Sequence, residues 1–479
     1  MKSLHFKGSC LFLLLIYLVI PIGQINNIFT HCTHAVDFSI YQQAIGEIAN
    51  TGNLNPYLTV RDMKIFNDHF DPIILLAAPF VKLFNYWPGS YFLFEYLFFT
   101  ALIALTLFYC KHLTLNQRLS AVLMILFTKG ILSGLNFPIH PTTWIMLPGF
   151  LLPWIIERDR PKEIIGFFVL TSLFKETMPL VLMCLSLVFF KRRKLFFGLL
   201  AFCIAMNVFN FHFRGILFGE TKAYAGTFSK FTNDPNFNVI DFILGQNYKA
   251  IFKMFLPFLF IYGFLIKDKK WKDPTVIKTH FFVIPVFGIQ YLREEFHYQY
   301  GAQIVAPLIG LILLPKFKSV FFDNKRRLVA LCLVFILTGM GSISKNVRAA
   351  LRINRKNCLP TPEKRFENEQ LREFVRSRIK NNETVLVTGG LVPDLYRPGM
   401  KIYQMAYFSK ALDFYDYVIF ERKRGGLVYP LHENDIESEF IPACKESSEG
   451  VVFESEYFIV FHQVGGRCIE LVEKRRVHF

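Results

Sequence analysis

The residues able to do chemistry lie in a few short polar stretches set among long apolar runs. Asp37 follows the first run, and Asp68-His69-Phe70-Asp71 precedes the second. Lys175-Glu176 interrupts an apolar segment at 163–190, His140 sits in Ile139-His140-Pro141, and Arg293 and His297 flank later runs. A carboxylate serves as a general base when held within hydrogen-bond reach of a hydroxyl; Asp37 is the first candidate and Asp68 the second. Lys, Arg and His stabilise negative charge in a poorly hydrated site, a role open to Lys175, Arg293 and His297. If Asp37, Asp68, His69 and Asp71 converge, their oxygen-rich donor set suits Mg²⁺ or Mn²⁺. His31, His34 and Asp37 recur every three residues and form a weaker metal pattern. Each of these residues also has a plain structural reading. Asp37 and Asp71 can cap helices, Lys175 and Glu176 can pair with each other, His140 and His297 can make interfacial hydrogen bonds, and Arg293-Glu294-Glu295 can be a solvated charge run.

The elements that must position these residues follow from composition. The chain has 479 residues, of which 53% are apolar and only 19% charged, too little polar surface for several water-soluble domains. The apolar runs fill residues 1–344, and 345–479 reads as soluble protein. Basic residues cluster between the runs, as in Lys191-Arg192-Arg193-Lys194 and Lys325-Arg326-Arg327, which is how cytoplasmic anchors of membrane spans are placed. That placement, rather than the net charge of +17 itself, argues against nucleic acid as a partner. There is no CxxC pair for a zinc module, no Walker loop and no Rossmann glycine fingerprint.

Spans are expected at 9–29, 89–110, 118–135, 142–156, 195–211, 250–266, 277–292, 302–314 and 328–344. One helix over 163–190 would bury Lys175-Glu176 at its centre and put two basic clusters on opposite sides of the membrane. Two legs of about 13 residues, roughly 20 Å each, turning at Lys175-Glu176, keep both clusters inside. With that hairpin counted twice the chain crosses about eleven times. The N-terminus then lies in the cytoplasm, and the loops 30–88, 212–249 and 293–301 and the C-terminal domain lie outside. Within 30–88 the segment 37–50 reads as an amphipathic helix suited to the membrane surface, ending at Thr51-Gly52. A second surface helix is expected over 70–84, starting at Asp71-Pro72.

The chain is similar, over nearly its whole length, to a bacterial family of polytopic membrane proteins, domain-of-unknown-function family twenty seventy-nine. The matching stretches are 37–44 (DFSIYQQA), 68–72 (DHFDP), Ile139-His140-Pro141, Lys175-Glu176, Phe296-His297-Tyr298, and the tail from Glu367 through Arg397 to 416–419 (DYVI). It departs from that family at Pro138 and Thr177, where the family usually carries acidic residues. The layout also resembles the GT-C membrane glycosyltransferases, in which an acid of the first outer loop is the catalytic base; the matching position is Asp37. The resemblance implies a transferase fold, and the activity expected of it is transfer of a sugar from a polyprenyl-phosphate donor to a glycan, lipid or protein acceptor at the outer face of the bacterial inner membrane. His69, Asp71, His140, Lys175, Glu176, Arg293 and His297 would then face substrate. A non-catalytic scaffold and a lipid or solute transporter remain alternatives.

The C-terminal part, 345–479, is expected to be a small extracytoplasmic α/β domain with a helix at 361–380. Strands are expected at 384–387, 401–404, 417–420 and 451–461. Cys444 and Cys468 can form a disulfide there.

Overall fold

The computed structural model describes residues 2–32, 35–137, 139–218, 248–292, 300–353, 361–405, 412–423 and 431–474. Arg293, His297 and His34 lie outside the described residues. The chain forms two compact units, one of residues 1–20, 66–73 and 95–345, the other of 21–65, 74–94 and 346–479.

The first unit is helical. Among the described residues four helices are long and apolar enough to cross a membrane: Gly8–Phe29, Pro88–Phe108, Arg193–Phe218 and Lys325–Ala350. Two bent pairs raise the count to six: Leu115–Leu126 with Lys129–Leu135, bent by 56°, and Gly301–Ile312 with Pro315–Phe321, bent by 73°. Leu11, Leu18, Ile216, Leu217 and Leu337 point outward from these helices. Exposed apolar rows of this kind fit hydrocarbon, not water. Helix Gly301–Ile312 runs through the middle, with every residue buried. It packs on Met146–Arg158 so closely that a Cβ on Gly310 would fall 2.0 Å from the Phe150 carbonyl oxygen. A Cβ on Gly339 would likewise meet the Phe127 carbonyl at 2.1 Å. Such backbone approaches need small residues, the usual way helices associate where water offers no driving force.

The segment expected as two short legs is broken as its charges require. Helix Pro161–Ser172 stops, residues 173–177 form a non-helical link carrying Lys175-Glu176, and Met178–Ser186 resumes with Pro179 in its first turn. At the basic end of the unit Lys316 joins Glu157 (2.5 Å) and Asp273 (2.7 Å), and Arg327 clasps Asp268.

In the second unit the helix Ala35–Thr51 ends at Gly52, which takes a φ of 75° that suits glycine. Its apolar side, with Phe38, Tyr41, Ala44 and Ile45, is buried against protein, including helix Ala77–Leu83. The face expected to lie on lipid is therefore covered. The segment expected as one helix over 70–84 is a 3₁₀ turn, Pro72–Leu76, followed by Ala77–Leu83. A two-residue pair, β1 (Tyr57–Leu58) and β2 (Met63–Lys64), follows the first of these helices. After helix Pro362–Arg378 come β3 (Thr384–Val387), β4 (Lys401–Gln404), β5 (Tyr415–Glu421), β6 (Gly450–Glu454) and β7 (Phe458–Val464). They form one sheet in the order β4-β3-β5-β7-β6, parallel among the first three and antiparallel beyond. Cys444 and Cys468 are disulfide-bonded, and Cys32 is disulfide-bonded as well. The early segment grips this domain through Gln42 Nε2 donating to Pro393 O (2.9 Å) and Glu47 accepting from Tyr396 (2.9 Å) and Gly399 N (2.7 Å). Buried His31 meets Asp394 at 3.1 Å.

Candidate functional site

The first unit gathers six of the expected site residues. The loop 66–73 is pinned to the broken helix by a backbone bond from Ile73 N to Leu173 O (3.1 Å) and by aromatic contact of Phe70 with Phe209 (5.1 Å). That places Asp68, His69 and Asp71 beside Lys175 and Glu176. The Lys175 ammonium lies 3.1 Å from His69 Nδ1, 3.5 Å from Asp71 Oδ2 and 3.4 Å from Glu176 Oε1. An ammonium has three protons to donate, and three acceptors surround it. His69 Nδ1 accepts from Lys175 when the ring is neutral with its proton on Nε2, and it also lies 3.5 Å from Glu176 Oε1, to which it can donate when protonated.

Burial decides how strongly these groups act on one another. Asp68, Asp71, Lys175 and Glu176 are all buried, while the His69 side chain keeps 21% of its surface open. Burial raises the Asp71 pKa; Lys175 opposes this, Glu176 adds to it, and the net direction is upward. For His69, burial and Lys175 push the pKa down, Asp68 and Glu176 push it up, and the carboxylates win. Protonating Nδ1 would turn it from an acceptor of Lys175 into a donor to Glu176, while Lys175 keeps Asp71 and Glu176 as partners.

His69 Nδ1 and oxygens of Asp71 and Glu176 lie within 4.8 Å of one another, near enough to hold a divalent ion. The Lys175 ammonium touches the same three side chains, so its positive charge competes with a cation there.

His140 approaches from a strained turn. Ile139, a buried β-branched residue, has a φ of 56°. His140 then caps helix Pro141–Trp144, its Nδ1 accepting from Thr142 N (3.3 Å) and from the Thr142 hydroxyl. Its ring lies 6.3 Å from that of His69 and 5.8 Å from that of Tyr300. With Nδ1 accepting, His140 also carries its proton on Nε2.

Three further residues belong to this surrounding. Glu95, buried in helix Pro88–Phe108, accepts from His140 N (2.9 Å) and from the Trp144 indole (3.1 Å). Asn210 and Arg214 lie where helix Arg193–Val208 passes through a π turn, Phe209–Phe213; such turns recur at functional sites. Asn210 Nδ2 donates to Glu176 O (3.0 Å). Their signal was present: Glu95 is the only charged residue in 88–108, and Arg214 the only Lys, Arg, Asp or Glu in 195–218. Asp37 stands in the second unit, partly buried in the first turn of helix Ala35–Thr51.

Apolar helices of membrane length, a helix broken at buried charges and a small mixed sheet define a polytopic α-helical membrane protein. The chain belongs to DUF2079, a family of predicted membrane proteins whose model matches residues 31–427. No curated protein matches the chain.

Proposed function

We propose that the protein is an integral-membrane glycosyltransferase that moves a sugar from a polyprenyl-phosphate donor to an acceptor at the extracytoplasmic face. The observation that carries this reading is the buried Asp68–His69–Asp71 loop held against the helix break by Lys175. In this mechanism Asp68 takes the proton of the acceptor hydroxyl as its oxygen bonds to the anomeric carbon of the sugar, while the bond from that carbon to the donor phosphate breaks and the polyprenyl phosphate leaves with the electron pair. Asp37, the base that the GT-C resemblance indicates, is the competing candidate. His69 presents its Nε2–H to an oxygen of the reacting groups. Lys175 is a positioning residue: its charge is taken up by Asp71 and Glu176, and it sets the His69 tautomer.

The topology is part of the proposal. About eleven crossings put the C-terminal domain outside the cytoplasm, and the Cys444–Cys468 disulfide supports an oxidising compartment for it.

The test compares a deletion strain complemented with wild type, Asp68→Asn or Asp37→Asn, with glycolipids and glycans profiled by mass spectrometry. A general base contributes roughly 10²–10⁴ in rate. The variant lacking the base should therefore lose the product while its membrane level and melting temperature stay unchanged. Identical profiles in the deleted and complemented strains would end the transferase reading and favour a scaffold. A product that is relocated but chemically unaltered would favour transport.

A further inference from the structure

Among the described residues Arg214 is a buried charge without a partner. The π turn and the helical segment Arg214–Phe218 after it turn Phe211, Phe213, Ile216 and Leu217 outward, the side suited to lipid, whereas Arg214 is 1% exposed. Asn210, Arg214 and Phe218 recur every four residues and so share one face. Asn210 reaches the Glu176 carbonyl at 3.0 Å, and the Phe218 ring packs on Phe66 at 5.7 Å. Arg214 stands between them on that face, one turn from the residue that touches the Lys175-Glu176 break and one turn from the residue that touches the loop 66–73. Its Nε and Nη1 make no hydrogen bond, and among the described residues no carboxylate is within ion-pair distance of it. The carboxylates of Asp71 and Glu176 pair with Lys175.

A buried guanidinium without a counter-charge is strongly unfavourable, so the arrangement makes sense with an anion that arrives from outside the chain. We propose that Arg214 binds the phosphate of a hydrocarbon-linked phosphate ligand. The planar fork of arginine pairs two phosphate oxygens at once. The aromatic wall beside it, formed by Phe66–Phe218 and Phe70–Phe209, suits an apolar substituent on that phosphate. The choice of ligand class rests on the transferase reading. Binding itself does not, because it is measured without turnover.

The experiment uses the full chain in phosphatidylcholine nanodiscs, with undecaprenyl phosphate, undecaprenol and inorganic phosphate as probes. Binding is read by thermal midpoint and native mass spectrometry for wild type, Arg214→Gln and Arg214→Lys. Undecaprenyl phosphate should bind wild type at least about tenfold more tightly than Arg214→Gln, with Arg214→Lys between them and undecaprenol inert. Inorganic phosphate binding with the same Arg214 dependence would assign the phosphate site to a free anion as well as a lipid one. Equal affinity of wild type and Arg214→Gln, or equal binding of undecaprenol, overturns the proposal. Without ligand, Arg214→Gln should melt at or above wild type, because an uncompensated charge has been removed. A clearly lower midpoint means that the protein itself satisfies Arg214, and this too overturns the proposal. Loss of sugar transfer with phosphate binding intact would count against the reaction alone.

Discussion

Replacing Lys175 with methionine tests whether the ammonium organises the cluster. Methionine keeps most of the side-chain volume and removes all three contacts, at 3.1, 3.5 and 3.4 Å. Two unit charges about 3.5 Å apart attract by about 5 kcal/mol at an effective dielectric constant near 20. Removing one member of a buried pair costs about 3–5 kcal/mol in practice, the lower part of that range applying when a carboxylate can escape by taking up a proton. Asp71 has that escape, since its pKa already lies above the ordinary carboxylate range and rises further once Lys175 is gone. A carboxylate raised in the folded state destabilises progressively as pH climbs from its unfolded value to its folded value. At about pH 5.5 Asp71 is protonated in both proteins and the deficit of Lys175→Met is smallest. It grows towards pH 8.5, where wild-type Asp71 is ionised beside Lys175 and the variant must still hold its proton, at about 1.4 kcal/mol per unit of pH. Thermal unfolding in detergent across this range measures it. Asp71→Asn in the Lys175→Met background should recover part of the loss. Removing the ammonium also opens the place within the 4.8 Å triad of His69, Asp71 and Glu176, so millimolar Mn²⁺ should stabilise the variant more than wild type. A variant within about 1 kcal/mol of wild type at pH 8.5, or Mn²⁺ acting equally on both, refutes the reasoning.

Other substitutions probe single contacts. Glu95→Leu leaves the His140 amide and the Trp144 indole without their acceptor, an expected loss of about 2–4 kcal/mol visible in the melting temperature. Gly310→Ala forces a methyl to within 2.0 Å of the Phe150 carbonyl oxygen and should abolish stable expression, whereas Gly166→Ala, with nothing within 4 Å, should be tolerated. Cys444→Ser together with Cys468→Ser opens a loop with a sequence separation of 24 and should cost about 2–4 kcal/mol, read by proteolysis of the C-terminal domain.

Features set by local chemistry could be read in advance. The helix ending at Gly52 follows from Thr-Gly, β3 follows from the β-branched run in 384–387, and β4 from the Ile402-Tyr403 pair. The break at 173–177 follows from two charges inside an apolar segment. The bend of 56° between Leu115–Leu126 and Lys129–Leu135 did not show, because no proline or glycine marks the intervening residues Phe127 and Thr128. Asp68, His69, Asp71, His140, Lys175 and Glu176 were identifiable as polar residues in apolar surroundings. Glu95 shares that property but sits alone in a run that reads as a span, and Arg214 falls just beyond the run 195–211, in a stretch that reads as a loop. What each meets depends on how its helix is rotated against its neighbours, which periodicity in one segment does not set. The cover over the helix Ala35–Thr51 was hidden for a similar reason: an amphipathic stripe does not say whether lipid or protein lies against it.

Helix Gly301–Ile312 and helix Met146–Arg158 interlock: a peptide oxygen of the second sits where Gly310 of the first has no side chain. A rearrangement that admits or expels a ligand is expected to carry the two together as one block.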